Sequence, residues 1–187
     1  MNVYDFDKTI LDGDTEEYFF AYINKYKLMS FFKIKKMNHI IKKVVNQKVS
    51  FDANMTKVYK IITSNIKYIS EVVEKFWDEH QQFIKPFYEN IRRDDDVISS
   101  ATPDFLFPIF KRLNLKNTIA SKYNFKNQTF DNGFNFGENK VFNFVSKYGT
   151  TDNIDKFYSD SDSDLPLARC AKHAFKVTGN KIEDWII

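Results

Sequence analysis

At 187 residues and 43% hydrophobic side chains, the chain suits one domain, or one domain carrying a sizeable insertion, with enough apolar mass for a real core. Its single cysteine, Cys170, excludes an intramolecular disulfide framework, and no run of about 20 apolar residues is available to span a membrane. The net charge of +3 is unevenly placed, with fifteen Lys/Arg against ten Asp/Glu in residues 14–94 and thirteen against fifteen elsewhere. That asymmetry points to two regions with different roles.

Met1 to Tyr4 is a short, mostly apolar opening that runs into Asp5-Phe6-Asp7, and Lys8 to Gly13 follows as a polar turn. A short strand ending in acids suggests a site at a strand's C-terminal end. The opening lacks the basic region and apolar stretch of a signal peptide, so a cytoplasmic location is expected.

From about Thr15 to Arg93 the chain reads as helical, with Pro86 and no glycine. Phe31, Ile34, Met37, Ile41, Val44 and Val45 recur near helical spacing. So do Phe51, Met55, Val58, Ile61 and Ile62, then Ile69, Val72, Val73, Phe76 and Trp77. Ser50 and Ser70 read as helix starts, giving about four helices.

The pattern then alternates. Val97 to Ser100 reads as a strand, Asp104 to Leu113 as a helix and Asn117 to Ser121 as a strand. Tyr123 to Phe136 reads as a hairpin around Asp131-Asn132-Gly133. Asn139 to Tyr148 is a predicted helix, Lys156 to Ser159 a strand ending at Asp160, Leu165 to Lys172 a short helix and Ala174 to Val177 a last strand. Strands alternating with helices imply a parallel sheet, and ligands of such sheets bind at the strands' carboxyl ends.

Four constellations fall at strand ends. Asp5 and Asp7 are two apart and face one side of an extended segment. Carboxylates so close repel, and a cation relieves the repulsion. One can attack phosphorus while the other handles the leaving-group proton. Ser100-Ala101-Thr102-Pro103 offers hydroxyls and helix-start N–H groups to an anion, with Ser99 competing with Ser100. Lys140 can balance a phosphate or an acidic side chain. Ser159 to Pro166 holds Asp160, Asp162 and Asp164, oxygen donors suited to a hard cation.

In this order, the motifs resemble those of the haloacid dehalogenase-like hydrolases, in particular the phosphoserine-phosphatase-like branch with a helical cap after the first strand. Val3-Tyr4-Asp5-Phe6-Asp7-Lys8-Thr9 looks like the first motif, Val97 to Ser100 with Ala101-Thr102-Pro103 the second, Lys140 the third, and Asp160 with Asp164 the fourth. The resemblance covers essentially the whole chain. It implies an α/β fold: a Rossmann-like parallel-sheet core of residues 1–13 and 95–187, with an inserted all-helical cap of residues 14–94. It implies a Mg²⁺-dependent phosphatase in which Asp5 becomes an aspartyl phosphate and Asp7 serves as acid, then base. Asp5, the Asp7 carbonyl and Asp160 would hold the metal, and Asp164 would support that site or orient Lys140. Ser100, with Ala101 beside it, would bind phosphate, and Lys140 would balance its charge. Asp14 stands where phosphoserine phosphatases have a substrate-binding Glu.

The expected partner is therefore a small phosphorylated metabolite, with neither nucleic acid nor membrane as a partner. Phosphoserine itself is a narrower alternative, although the cap lacks a counterpart to the arginine that grips its carboxylate, Arg92 and Arg93 lying at the cap's end. A phosphotransferase is another alternative. The eight lysines and no acids from Tyr18 to Phe51 fit a solvated face, an attractor of phosphorylated substrate, or a surface for nucleic acid or anionic lipid. In the last case the chain would be a basic binding protein on the same core. Asp162 and Lys147 are expected at the surface, Thr9 in the turn, and the three histidines lack metal-ligand spacing.

Overall fold

The computed structural model describes residues 1–46 and 50–187. β1 (Asn2–Tyr4) is followed by five helices: α1 (Thr15–Lys25), α2 (Phe31–Val45), α3 (Phe51–Asn65), α4 (Ile69–His80) and α5 (Pro86–Ile91). Then come β2 (Val97–Pro103), α6 (Ile109–Arg112), β3 (Asn117–Ser121), β4 (Tyr123–Asn124) and β5 (Thr129–Phe130). The chain continues through α7 (Glu138–Tyr148), β6 (Lys156–Ser159), α8 (Leu165–Ala168), β7 (His173–Thr178) and β8 (Lys181–Asp184).

Six strands form one sheet in the order β3-β2-β1-β6-β7-β8. All neighbours are parallel except the β7–β8 pair. The central strands β1, β2 and β6 bury apolar side chains on both faces, as buried parallel strands must. Alternation splits the core in two. Tyr4, Ile98 and Tyr158 join one apolar cluster, and Val3, Val97 and Phe157 join the other. β1 lies between β2 and β6, so the chain leaves it in opposite directions on its two sides. The crevice of such a sheet opens at that switch point, beyond the carboxyl ends of β1 and β6.

The α/β core with its helical insertion is as expected, but several elements differ in detail. The insertion holds five α-helices rather than about four, and α4 begins at Ile69, placing Ser70 inside it. The expected helix over 104–113 is broken: a 3₁₀ turn spans Asp104–Leu106, and α6 covers only Ile109–Arg112. Pro108 sits at the break as the residue before α6, a position where its missing N–H costs nothing. The small hairpin pairs Tyr123 with Phe130 and Asn124 with Thr129. Its turn is therefore 125–128, and Asp131-Asn132-Gly133 follows the second strand. α8 ends at Ala168 rather than 172. The chain end adds β8, an antiparallel edge strand that periodicity did not reveal.

Two short crossings join the helical insertion to the core. Leu11 bridges Ile84, the Asp12 N–H donates to the Phe83 carbonyl (2.7 Å), and the Lys85 N–H donates to the Ile10 carbonyl (2.8 Å). The Lys85 ammonium is buried and donates to the main-chain carbonyls of Lys8 and Gly179 (2.7 Å to the latter). α5, beyond this crossing, packs on the sheet through Tyr88, whose ring meets Tyr4 edge-on at 5.1 Å.

Candidate active site

Asp5 follows β1 directly, and its N–H donates to the Tyr158 carbonyl (2.9 Å), which continues the sheet by one residue. Its side chain is buried at the mouth of a cleft of about 210 Å³ that also brings together Asp7, Asp14, Ala101, Lys140, Asp160 and Asp164. Seven of the eight residues expected in the site thus share one cavity.

Lys140 enters from the first turn of α7. Gly137 precedes that helix at φ +57°, ψ −130°, a backbone state that only glycine adopts freely, and so sets the helix's approach. The Lys140 ammonium donates to Asp5 Oδ1 at 2.6 Å and to Asp164 Oδ2 at 2.7 Å. Burial works against its charge, but the Asp5 and Asp164 carboxylates outweigh burial and hold its pKa above the ordinary lysine value. Burial pushes the Asp5 carboxyl up, against the pull of Lys140. Asp164 is fixed further by Ser159, whose hydroxyl donates to the same Oδ2 at 2.7 Å.

Asp7 reaches toward α1 and the second motif. Thr15 at the start of α1 donates to its Oδ1 through both N–H (2.7 Å) and hydroxyl (2.5 Å). Thr102 donates to Oδ2 at 2.9 Å and Ser100 at 3.3 Å. Burial, then the Asp14 charge, pushes the Asp7 carboxyl up to about 6, while the Thr15 and Thr102 hydrogen bonds pull it down. A carboxyl in that range can both give and take a proton near neutrality.

Ser100 is fully buried and does not line the cleft. Besides reaching Asp7, its oxygen accepts the Thr102 N–H (3.1 Å). Ser99 lies deeper, accepting from Asn135 (3.1 Å). Ala101 and Thr102 form the cleft wall instead. Thr102, to which the sequence assigns no role, reaches Asp7 alongside Ser100. Thr9 is more than a turn residue. Its hydroxyl donates to Asp5 Oδ2 (3.4 Å) and accepts the Asp160 N–H (3.0 Å), tying the first motif to the fourth.

Asp14 caps α1, accepting the N–H groups of Glu16 and Glu17 at 3.0 and 3.1 Å. It also pairs with Lys8 at 3.4 Å. Glu16, unforeseen from sequence, lines the cleft, and the Tyr59 hydroxyl donates to it. Burial, then Asp14, pushes the Glu16 carboxyl up to about 8. Phe51 at the start of α3 and Phe136 before α7 complete the rim, their rings stacked at 5.7 Å. Asp162 is solvated, its side chain paired with Lys176 at 2.6 Å. Lys147 donates to the Thr118 carbonyl (2.9 Å), far along α7.

The donor set suits a hard cation. Asp164 Oδ1 is buried without a hydrogen-bond partner among the described residues, and the Asp7 carbonyl accepts no main-chain hydrogen bond there. Among the described residues no three acidic, His or Cys side chains cluster as ligands. Mg²⁺ does not need three, since it takes one or two carboxylates and keeps several waters. Asp5 and Asp160, which both line the cleft, are carboxylates of that kind.

A sequence model of the haloacid dehalogenase-like hydrolases matches residues 3–169. No curated protein sequence matches the chain. Among solved structures, a protein of unknown function from Bordetella pertussis Tohama I superposes with a TM-score of 0.81 at 14% identity, covering 93% of this chain and 87% of that one. A phosphoserine phosphohydrolase-like protein from Francisella tularensis subsp. tularensis SCHU S4 gives 0.55 at 18%, covering 93% and 86%. A phospho-aspartyl intermediate analogue of phosphoserine phosphatase gives 0.55 at 16%, covering 92% and 83%. At these identities the likeness is one of fold.

Proposed function

Because the chain belongs to the haloacid dehalogenase-like hydrolases, we propose that it is a phosphatase that hydrolyses the phosphate monoester of a small molecule through an aspartyl-phosphate intermediate on Asp5. The observation that carries this reading is the split between two neighbouring carboxylates. Asp5 is held by a buried lysine, whereas Asp7 is held by hydroxyls and a helix start. One is thereby kept as a nucleophile with its charge balanced, the other as a carboxyl able to exchange a proton.

In this mechanism Asp5 attacks phosphorus, and Asp7 delivers a proton to the departing oxygen. Asp7 then takes a proton from the water that cleaves the aspartyl phosphate. Lys140 stays charged throughout and offsets the negative charge gathered around Asp5. The cleft wall at Ala101 and Thr102 would face the phosphoryl oxygens. Asp5, Asp160 and the Asp7 carbonyl would hold Mg²⁺, which neutralises phosphoryl charge when bound. Ser100 would act through Asp7 rather than on phosphate, since it lies behind the wall. We place the hinge of the cap at the paired crossings 10–12 and 83–85, which leaves α5 on the core and narrows the cap from the expected 14–94 to the helices α1 to α4.

The substrate side of the cleft bears on specificity. Asp14 and Glu16 face it, with Phe51 and Phe136 at its rim, and no arginine lines it among the described residues. Arg92 instead donates to the Leu113 carbonyl (2.8 Å), and Arg93 pairs with Asp95 (2.9 Å). With Asp14 paired to Lys8 and the Glu16 carboxyl raised to about 8, this lining carries little net charge near neutrality and, among the described residues, lacks an arginine to grip a carboxylate beside the phosphate. Phosphate release from a panel of phosphorylated metabolites, phosphoserine included, tests the reading with Mg²⁺ or EDTA. Turnover should require Mg²⁺ and vanish in Asp5→Asn. Turnover retained by Asp5→Asn would refute the nucleophile.

A further inference from the structure

The surface of α2 and α3 carries features that the catalytic reading does not use. Phe31 and Phe32 open α2 at 71% and 80% exposure, and Val45 near its other end is 73% exposed. Such large apolar side chains on a helix surface lose hydration free energy unless something covers them. Around them the charge is of one sign. Lys33, Lys35, Lys36, Lys42 and Lys43 are all exposed on α2, whose first turn holds no acid.

Beside this helix is a built cleft of about 290 Å³, whose walls carry Lys33, Lys36 and Ile40 from α2 against Lys57, Lys60 and Ile61 from α3. Lys33 and Lys36 lie in the first two turns of α2, so the phenylalanines that open that helix lie at the lysine end of the cleft. None of these four lysines pairs with a carboxylate among the described residues. Four ammonium groups lining one cleft repel one another, and a bound anion relieves that repulsion.

We propose that the α2–α3 hairpin docks the protein on an anionic phospholipid bilayer, with head-group phosphates in the lysine cleft and Phe31 and Phe32 inserted at the interface. The occupant follows from the pairing of features. Unpaired lysines match lipid phosphates, and an adjacent aromatic pair matches the boundary where acyl chains begin. A nucleic acid would match the lysines but would leave the aliphatic Val45, exposed on the same helix, without an apolar partner. The contact is peripheral, since no described helix is long and apolar enough to cross a membrane. Phe51 on the rim of the catalytic cleft and Lys60 in the lysine cleft are nine residues apart on α3, about 13 Å along the helix. The docked face and one residue of the catalytic rim, Phe51, are therefore carried by the same helix.

The test is co-flotation of the full chain with vesicles of phosphatidylcholine alone and of phosphatidylcholine mixed with phosphatidylglycerol. Binding should occur to the mixed vesicles only and fall as salt is raised. At about fivefold per lysine near a charged surface, Lys33→Glu/Lys36→Glu should weaken it by more than tenfold. Lys126→Glu/Lys172→Glu, which removes the same charge from exposed positions elsewhere, should leave it nearly unchanged. Phe32→Ser should weaken it at a salt concentration where the lysines are screened. Phe32 is the most exposed of these side chains, so this variant should fold and keep its activity on soluble substrates. Equal losses in the two lysine pairs would reduce the effect to net charge and overturn the proposal. So would no binding to the mixed vesicles, or tighter binding to a single-stranded RNA than to them.

Discussion

Replacing Lys140 by Met keeps the length of the side chain and deletes its charge. The ammonium contacts Asp5 at 2.6 Å and Asp164 at 2.7 Å, and both Lys140 and Asp164 are almost wholly shielded from solvent. Without it two carboxylates face each other where water cannot screen them. Removing one partner of a buried pair costs roughly 3–5 kcal/mol, and Lys140 has two partners. The opening of Asp5 onto the cleft offsets part of the second. In a chain of this size 1 kcal/mol shifts Tm by roughly 2–4 °C, so Lys140→Met should melt about 10 °C below wild type in EDTA. Mg²⁺ should narrow that gap by neutralising Asp5. Lys140→Met/Asp164→Asn removes one of the facing charges and should recover more than half of the lost stability while remaining inactive. Thermal melts by circular dichroism and phosphate-release assays on the same samples read both effects. If the single variant melts within about 2 °C of wild type in EDTA, or the double variant melts below the single, the triad does not carry the electrostatic load argued for it.

Thr102→Val should lower kcat by roughly tenfold or more with little change in KM, because it frees one oxygen of the proton-transferring Asp7; a change confined to KM would speak against that role. Glu16 gives a pH dependence of stability. Its folded-state carboxyl is raised to about 8 from an ordinary 4.5, so its contribution is whole below about 4.5 and fades as pH rises toward 8. Glu16→Gln should therefore gain Tm relative to wild type with rising pH across that window, by an amount moderated by its opening to the cleft; a pH-independent difference would refute the shift. Gly13→Ala should destabilise by roughly 1–3 kcal/mol, because Gly13 has φ +128° and an added Cβ would meet the Tyr18 ring. A denaturant midpoint unchanged from wild type would contradict this.

The chemistry of the site was more legible in the sequence than its boundaries were. Asp5, Lys140, Asp160 and Asp164 stand out because a strand end or a helix start presents each of them, and local periodicity reveals such places. Thr15 and Glu16 did not stand out, since their importance comes from α1 folding back so that its first turn reaches Asp7 and the cleft. A pairing of that kind leaves no periodic trace. Ser100 against Thr102 was a question of which side of a bulged strand faces the cleft. The β2–β3 register shifts between Ser99 and Pro103, and a bulge displaces the alternation by which faces are assigned. β8 escaped notice because Lys181-Ile182-Glu183-Asp184 has one apolar residue; it pairs through its main chain on β7, with Ile182 opposite Val177.

The tie between Asp7 and α1 has a consequence for how the two parts of the molecule cooperate. A carboxylate gripped by the first turn of a helix feels the partial positive charge of that helix end as well as its donors. Here the helix belongs to the inserted segment, while the carboxylate belongs to the strand end of the core. Any rotation of the insertion about the crossings at 10–12 and 83–85 carries the Thr15 donors with it, and so must either draw the Asp7 side chain along or stretch its hydrogen bonds to them. The first outcome moves the acid toward or away from Asp5; the second raises its pKa by withdrawing the groups that pull it down. In both cases the proton-transferring group responds to the position of the insertion, although Asp5 and Lys140, anchored on β1 and α7, do not. The proposed nucleophile, Asp5, is thus a fixed feature of the core, whereas Asp7, the proposed acid, is set jointly by the core and the helices above it.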